Sequence, residues 1–190
     1  DSGAVRVAIV DEVIVSADVN TSLTFSVAGV NSSSTVNGSA TTTAATTTPT
    51  TLLFGTLGVG VSKTLAHDLT VSTNASNGYT VTVEQTGDLQ STTGSTIDGF
   101  IDGAYTTTPA AWVKPGAVIA NTDSYGHWGI TSTDSTTTRA ALDEFSTDTW
   151  VSGSTTPIVV MGHDDVADGI TAGVGTARIG YQIQISALQE

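Results

Sequence analysis

Two stretches near the middle of the chain alternate between apolar and polar residues. The apolar residues within each stretch share one parity: Leu65, Leu69 and Val71, then Tyr79, Val81 and Val83. Successive side chains of a strand point to opposite faces, so each stretch predicts a strand with one buried face. Asn77-Gly78 lies between them, and Asn-Gly is typical of tight turns because both residues tolerate positive φ. The pattern predicts a β-hairpin.

The same alternation recurs towards both ends of the chain. One parity is apolar almost without a break from Val5 to Val27, which predicts two or three strands, or one long strand that crosses between sheets. A further strand is predicted where large apolar residues alternate with polar or small ones: Ile179, Tyr181, Ile183 and Ile185. Between 88 and 156 the pattern is irregular, with one short helix predicted at 138–145. We therefore expect an irregular insertion over 88–156.

The composition favours an all-β protein. Only 12% of the residues are charged and 38% are hydrophobic, while Ser, Thr and Gly are abundant. Thr has a high β propensity, and long amphipathic helices would need more Lys, Glu and Leu. A chain of 190 residues is long enough for one sizeable core. We predict a single β-sandwich domain over 1–190, Ig-like or jelly-roll in outline.

The charge balance restricts the partners. With 18 acidic residues, five Lys and Arg and a net charge of -13, the chain would be repelled by nucleic acid and by anionic membrane surfaces. No apolar run approaches the roughly 20 residues that span a bilayer. The chain has no cysteine, which excludes disulfides and thiolate metal sites. It begins at Asp1 without methionine, as a mature secreted protein would, although an arbitrary chain boundary would look the same. We expect a secreted, extracellular protein.

Residues 31–51 form a Ser/Thr/Ala tract with little apolar surface to bury, which predicts a loop or a solvated edge. Four asparagines lie in N-x-S/T sequons and are candidate glycosylation sites: Asn20, Asn31, Asn37 and Asn74. Such sequons also arise by chance in a Thr-rich chain, so unmodified polar surface is the alternative.

The best candidate metal site contains Asp164, Asp165 and Asp168, which follow or lie near His163. Oxygen-rich loops of this kind can hold calcium, although the spacing departs from that of an EF-hand. The alternative is a solvated acidic turn. No other cofactor is predicted.

Three aromatic residues are candidates for stacking on a sugar ring: Trp112, Tyr125 and Trp128. The alternative, which we favour, is a satellite core beneath the insertion, because large aromatic side chains bury area that small residues cannot.

Motifs for catalysis are lacking. Gly55–Gly60 has neither the following helix nor the Lys-Ser/Thr pair of a phosphate-binding loop, and neither G-x-S-x-G nor H-E-x-x-H occurs. We assign no catalytic residue and predict that the protein is not an enzyme.

Several runs resemble a known group: Leu23–Val27, Leu53–Leu57, Leu69–Val83 and Tyr125–Gly129. They are similar to Cys-free, Thr-rich β-sandwich surface proteins of the prokaryotic cell envelope. More loosely, the chain resembles subunits of extracellular filaments that polymerise by donor-strand exchange. In the resembled group a further strand usually follows the position of Ile185, whereas this chain stops at Glu190. The resemblance implies a sandwich that lacks a strand of its own.

The segment 1–12 is the candidate donor strand. Its Val5, Val7 and Ile9 alternate with small or charged residues, as in a strand that fills successive pockets of a neighbour. An ordinary first strand within its own chain is the alternative. The first functional hypothesis is thus a structural subunit of an extracellular filament, pilus or surface layer, which forms a homopolymer. The second is a secreted carbohydrate-binding or adhesive module, whose partners would be glycans or other cells.

Overall fold

A computed structural model describes residues 17–134 and 145–190 of the chain. Their regular secondary structure is almost entirely β, which confirms the predicted all-β fold class. In chain order the strands are β1 (Leu23–Gly29), β2 (Thr35–Val36), β3 (Ser39–Ala40), β4 (Lys63–Thr73), β5 (Tyr79–Val83), β6 (Leu89–Gln90), β7 (Thr96–Gly99), β8 (Ala110–Ala111), β9 (Gly126–Ser132), β10 (Thr149–Ser152), β11 (Ile158–His163), β12 (Ala167–Asp168) and β13 (Thr176–Ile185). One 3-10 turn lies at Thr122–Ser124. The proposed donor segment 1–12, with Val5, Val7 and Ile9, lies outside the described residues, as does all of the predicted helix except Phe145.

The two longest strands, β4 and β13, form the centre of the main sheet. They pair antiparallel, from Lys63 opposite Ile183 to Thr70 opposite Thr176. The sheet continues to β1 on the far side of β4, and through β9, β10 and β8 on the far side of β13. The short strand β12 also pairs with β4, and β7 joins β9 in a parallel pair. This broad sheet forms one layer of the fold.

The second layer is narrow and consists of β5 and β11, paired antiparallel. Buried side chains from both layers form the core between them: Leu69, Val71, Tyr79, Trp128, Ile130, Val151, Ile158, Val160, Met161, Ile179 and Ile183. Val81 and Val83 are partly buried against this core, so the predicted facing of β5 is confirmed. The architecture is a sandwich-like arrangement of unequal layers, and the finer choice between Ig-like and jelly-roll stays a prediction.

The predicted hairpin is wrong in its pairing. Within the described residues β4 pairs with β1, β12 and β13, whereas β5 pairs with β11. The Asn77-Gly78 turn therefore carries the chain from one layer to the other. Gly78 has a φ of 65°, and a Cβ at this position would overlap the carbonyl oxygen of His163. Two one-sided strands can bury their apolar faces against each other across a sandwich as well as side by side, and alternation alone does not distinguish these cases.

The prediction of an irregular insertion over 88–156 is wrong in part, because this stretch contains β9 and β10 beside long loops. The strand β9 is central to the main sheet and pairs with β13 from Gly126 opposite Ile185 to Ser132 opposite Ile179. All seven of its residues are buried. A strand covered on both faces has no reason to alternate between apolar and polar residues, so its sequence lacks the period of two.

The core assignment predicts a large difference between two identical substitutions. Ile130 is 1% exposed between the layers, whereas Ile170 is 81% exposed. Ile130→Ala should lower the free energy of unfolding by about 2–5 kcal/mol through lost burial and a cavity. Ile170→Ala should change it by less than about 0.5 kcal/mol. Denaturant titration of both variants measures the difference, and similar losses would contradict the assigned core.

Candidate functional site

An aromatic cluster covers part of the outer face of the main sheet. Phe100 stacks on Trp112 with 4.9 Å between ring centroids, and Trp150 packs edge-on against Trp112 at 5.7 Å. The indole N–H of Trp112 donates a hydrogen bond of 2.8 Å to Oε1 of Gln184. Trp112 thus has the satellite-core environment that we favoured from the sequence.

The other two aromatic candidates lie apart from this cluster. Trp128 is buried in the core between the layers, where it stacks on Tyr181, and its indole N–H donates to Oε1 of Gln85 at 2.8 Å. The hydroxyl of Tyr125 accepts a hydrogen bond from the backbone of Ala120. The structure does not bring Trp112, Tyr125 and Trp128 together as one platform. Sugar binding therefore stays a prediction that the geometry does not support.

His127, which precedes Trp128 in β9, shares the outer-face cluster with Phe100 and is completely buried. Its Nδ1 lies 2.9 Å from the carbonyl oxygen of Val113, so Nδ1 carries the hydrogen because a carbonyl only accepts. Nε2 lies 3.1 Å from the backbone nitrogen and 3.0 Å from Oδ1 of Asp102. Both ring nitrogens are engaged within the protein. His127 therefore ties the loops at 102 and 113 to the sheet, an arrangement that no sequence spacing indicated.

The three acidic calcium candidates are arranged as parts of turns. Asp168 accepts hydrogen bonds from the backbone nitrogens of Ile170 and Thr171 and from the Thr171 hydroxyl. These hydrogen bonds lower the pKa of Asp168 to about 2, and the bond from the Thr171 side chain has the largest effect. Asp165 accepts a bond from the backbone nitrogen of Val166. Among the described residues no three or more His, Asp or Glu side chains are grouped to hold a metal ion. Calcium at Asp164, Asp165 and Asp168 stays a prediction without geometric support.

The four sequon asparagines differ in their surroundings. Asn20 and Asn31 are exposed, and Asn37 donates its amide hydrogens to the Thr131 hydroxyl and the Ser146 carbonyl. Asn74 is exposed but bonds the segment before β1: its Oδ1 accepts from Ser22 N at 2.7 Å, and its Nδ2 donates to Asn20 O at 3.0 Å. A glycan on Nδ2 would compete with existing hydrogen bonds at Asn37 and Asn74. Glycosylation at all four positions stays a prediction.

The most unusual surface of the described residues lies along β1. Phe25 is opposite Val71 in the β1–β4 pair, so the two side chains project from the same face of the sheet. Val71 is 1% exposed, yet Phe25 is 46% exposed and its neighbour Leu23 is 59% exposed. The cause is the narrow second layer, because its two strands are the only facing strands in residues 17–134 and 145–190 and they do not extend over β1. Apolar side chains that face the core side of the sheet are therefore left in solvent.

An open groove of about 270 Å³ lies between β1 and β5, and we call it the edge groove. It is lined by residues of β1, β4 and β5: Leu23, Phe25, Val71, Tyr79, Thr80, Val81 and Thr82. None of its lining residues is charged. Among the described strands, β1 pairs only with β4 and β5 only with β11, so each has one edge without a strand partner. The sequence predicted the inward facing of Leu23 and Phe25 but did not indicate that they would be uncovered.

Comparison with known proteins found no matching family model, no matching curated protein and no matching solved structure. The described part of the chain has no helix with the length and apolar character needed to cross a membrane. Functional inference for this protein therefore starts from its own geometry.

The hydrogen bonds to Asp168 predict a specific loss of stability in acid. Because its folded pKa of about 2 is below the ordinary value of 3.8, the carboxylate contributes stability above pH 3.8 that is lost as the pH falls through 2. Asp168→Asn should lower the melting temperature at pH 6, and its difference from wild type should shrink towards pH 2. Asp165→Asn is the matched control and should have a smaller effect at pH 6. A deficit for Asp168→Asn that is as large at pH 2 as at pH 6 would refute this role.

Proposed function

We propose that the protein is a structural subunit of an extracellular filament, pilus or surface layer, and that subunits join head-to-tail by donation of an N-terminal strand. The observation that supports this proposal most directly is the edge groove. It combines exposed apolar side chains with two strand edges that have no strand partner among the described residues, and an added strand satisfies both features at once.

The polar groups of the described residues support an interface more than a reaction site. His127 uses both ring nitrogens internally, the indole of Trp112 is bonded to Gln184, and the carboxylate of Asp168 closes a turn. Arg178 is also engaged, through two hydrogen bonds to the Asp68 carboxylate at 2.6 and 2.9 Å. These four side chains thus hold the fold in place.

Donation of a strand leads to a polymer because of its symmetry. The donor segment of one subunit and the groove of the next are different surfaces, so the contact is heterologous and need not close on itself. The resemblance to surface proteins of the prokaryotic envelope and to donor-strand filaments supports an extracellular site. A net charge of -13 would help such a subunit stay soluble before assembly.

Electron microscopy of the purified protein tests the assembly directly. We expect ordered polymers whose formation requires the N-terminal segment, so a variant without residues 1–10 should give only dispersed particles. Monodisperse full-length particles that bind polysaccharide would favour the carbohydrate-binding module instead. Filaments formed by the truncated variant would refute donation by this segment.

A peptide that corresponds to residues 1–11 provides a complementary measurement. Because ligand binding to the folded state stabilises it by mass action, this peptide should raise the melting temperature of the truncated variant. The control is the same peptide with Val7→Asp, which would bring a charge to an apolar surface and should have no effect. Equal shifts with both peptides would show that the stabilisation is nonspecific.

A further inference from the structure

We propose that the edge groove is the acceptor site for assembly and that its occupant is residues 4–10 of a second copy of this chain. The incoming segment would pair with the free edge of β1 and place Val5, Val7 and Ile9 beside the exposed apolar row, on the same face of the sheet. This inference rests on the proposed function and names the surface that receives the donor.

The dimensions of the two partners agree. The strand β1 has seven residues, as does the segment 4–10, and at about 3.3 Å per residue each spans roughly 23 Å. The side chains of β1 on the core side of the sheet are Leu23, Phe25 and Val27. The segment also has three large apolar residues at alternate positions. One added strand can therefore cover the whole row.

The chemistry of the two surfaces also agrees. The groove is lined by apolar and hydroxyl side chains without a charge, and three of its apolar residues belong to different strands: Phe25, Val71 and Val81. In the donor segment the single charged residue, Arg6, has the opposite parity to Val5 and Val7. Pairing with Val5 and Val7 inward leaves Arg6 on the outer face, where no charge needs to be desolvated.

The path of the chain before β1 favours a second copy over the subunit's own N-terminal segment. Hydrogen bonds hold residues 20–22 beside the end of β4. The Asn74 side chain accepts from Ser22 N and donates to Asn20 O, and the Thr73 hydroxyl donates to Ser22 O. The chain is thus held past the last pair of β1 and β4, Leu23 with Thr73. It enters β1 from beyond the end of the groove.

A tight reversal at this point would bring acidic residues to the groove. If residues 18–19 formed a two-residue turn, Glu12 would lie opposite Phe25, and with a three-residue turn at 17–19 Asp11 would do so. Either register places a carboxylate on an apolar surface, which costs free energy unless the charge is paired. A segment from a neighbouring subunit has no such restriction on its register.

Engineered cysteines test this pairing without background, because the natural chain has none. One subunit has a cysteine at Val5, Val7 or Ile9, and the other has Phe25→Cys in the groove. The three donor positions test the three alignments in which an inward donor residue lies opposite Phe25. Dissociated single variants, one with a longer affinity tag, are mixed, assembled, oxidised and separated on a non-reducing gel. We expect a mixed dimer for at least one pair. Thr24→Cys, whose side chain points to the opposite face of β1, should give several-fold less.

The double variant Val7→Cys/Phe25→Cys separates the two sources of the strand. A ladder of linked subunits supports a second copy, whereas a monomer with an internal cross-link would show that the chain fills its own groove and would overturn the inference. Filaments that require residues 1–10 but give no cross-link at any of the three donor positions would place the N-terminal donor on another surface. That result would overturn the inference while the proposed function stands. An absence of both polymers and cross-links would refute both.

Substitution within the groove gives an independent measurement. Phe25→Asp should abolish polymers, because it places a charge where the donor would lie. It should lower the melting temperature of the dissociated subunit only moderately and leave it folded, since Phe25 is already half exposed. Ser26→Asp is the matched control on the opposite face and should assemble normally. Normal filaments from Phe25→Asp would overturn the inference.

Discussion

The structure depends on how the core between two sheets of unequal width is closed. The main sheet extends through six successive strands from β1 to β8, whereas β5 and β11 alone form the facing layer in the described residues. The paired strands β4 and β13 lie under the facing layer, and their inward side chains Val71 and Ile179 are buried. At β1 the cover ends, and Phe25 remains half exposed although it lies beside Val71. The same apolar row therefore passes from core to surface across one pair of strands.

The other half of the main sheet solves this problem differently. Its outer face carries Phe100, Trp112 and Trp150, which pack on one another and bury large apolar areas in a chain with few large residues. Polar groups beneath them are paired: Gln184 accepts from Trp112 and donates to the Gly60 carbonyl at 2.8 Å. The facing layer covers one face of β9, and the aromatic cluster covers the other. This part of the sheet is thus covered by side chains of the same chain, whereas the apolar row on β1 is not covered by any described residue.

Local alternation in the sequence predicted strand type and facing well, but it could not predict the partners of the strands. The inward sides of β4, β5 and β13 follow from periodicity, because one apolar face is a property of each strand alone. The pairing of β5 with β11 instead of β4 depends on contacts about 80 residues apart, between residues such as Thr82 and Val159. The strand β9 escaped prediction because it is buried on both faces. The acceptor surface could not be foreseen either, since Leu23 and Phe25 have the pattern of ordinary core residues.

The exposed row on β1 also bears on why an added strand would be favourable. Complete burial of a Leu or Phe side chain stabilises by about 1.5–3 kcal/mol relative to full exposure. Leu23 and Phe25 are about half exposed, so roughly half of that stabilisation is still to be gained when a partner covers them. Association of two subunits must first offset several kcal/mol of lost translational and rotational freedom. Two side chains alone do not suffice. An added strand also buries its own valines and isoleucine and satisfies backbone groups along seven residues of β1. A strand that brings both contributions matches the edge groove better than a ligand that offers only an apolar contact.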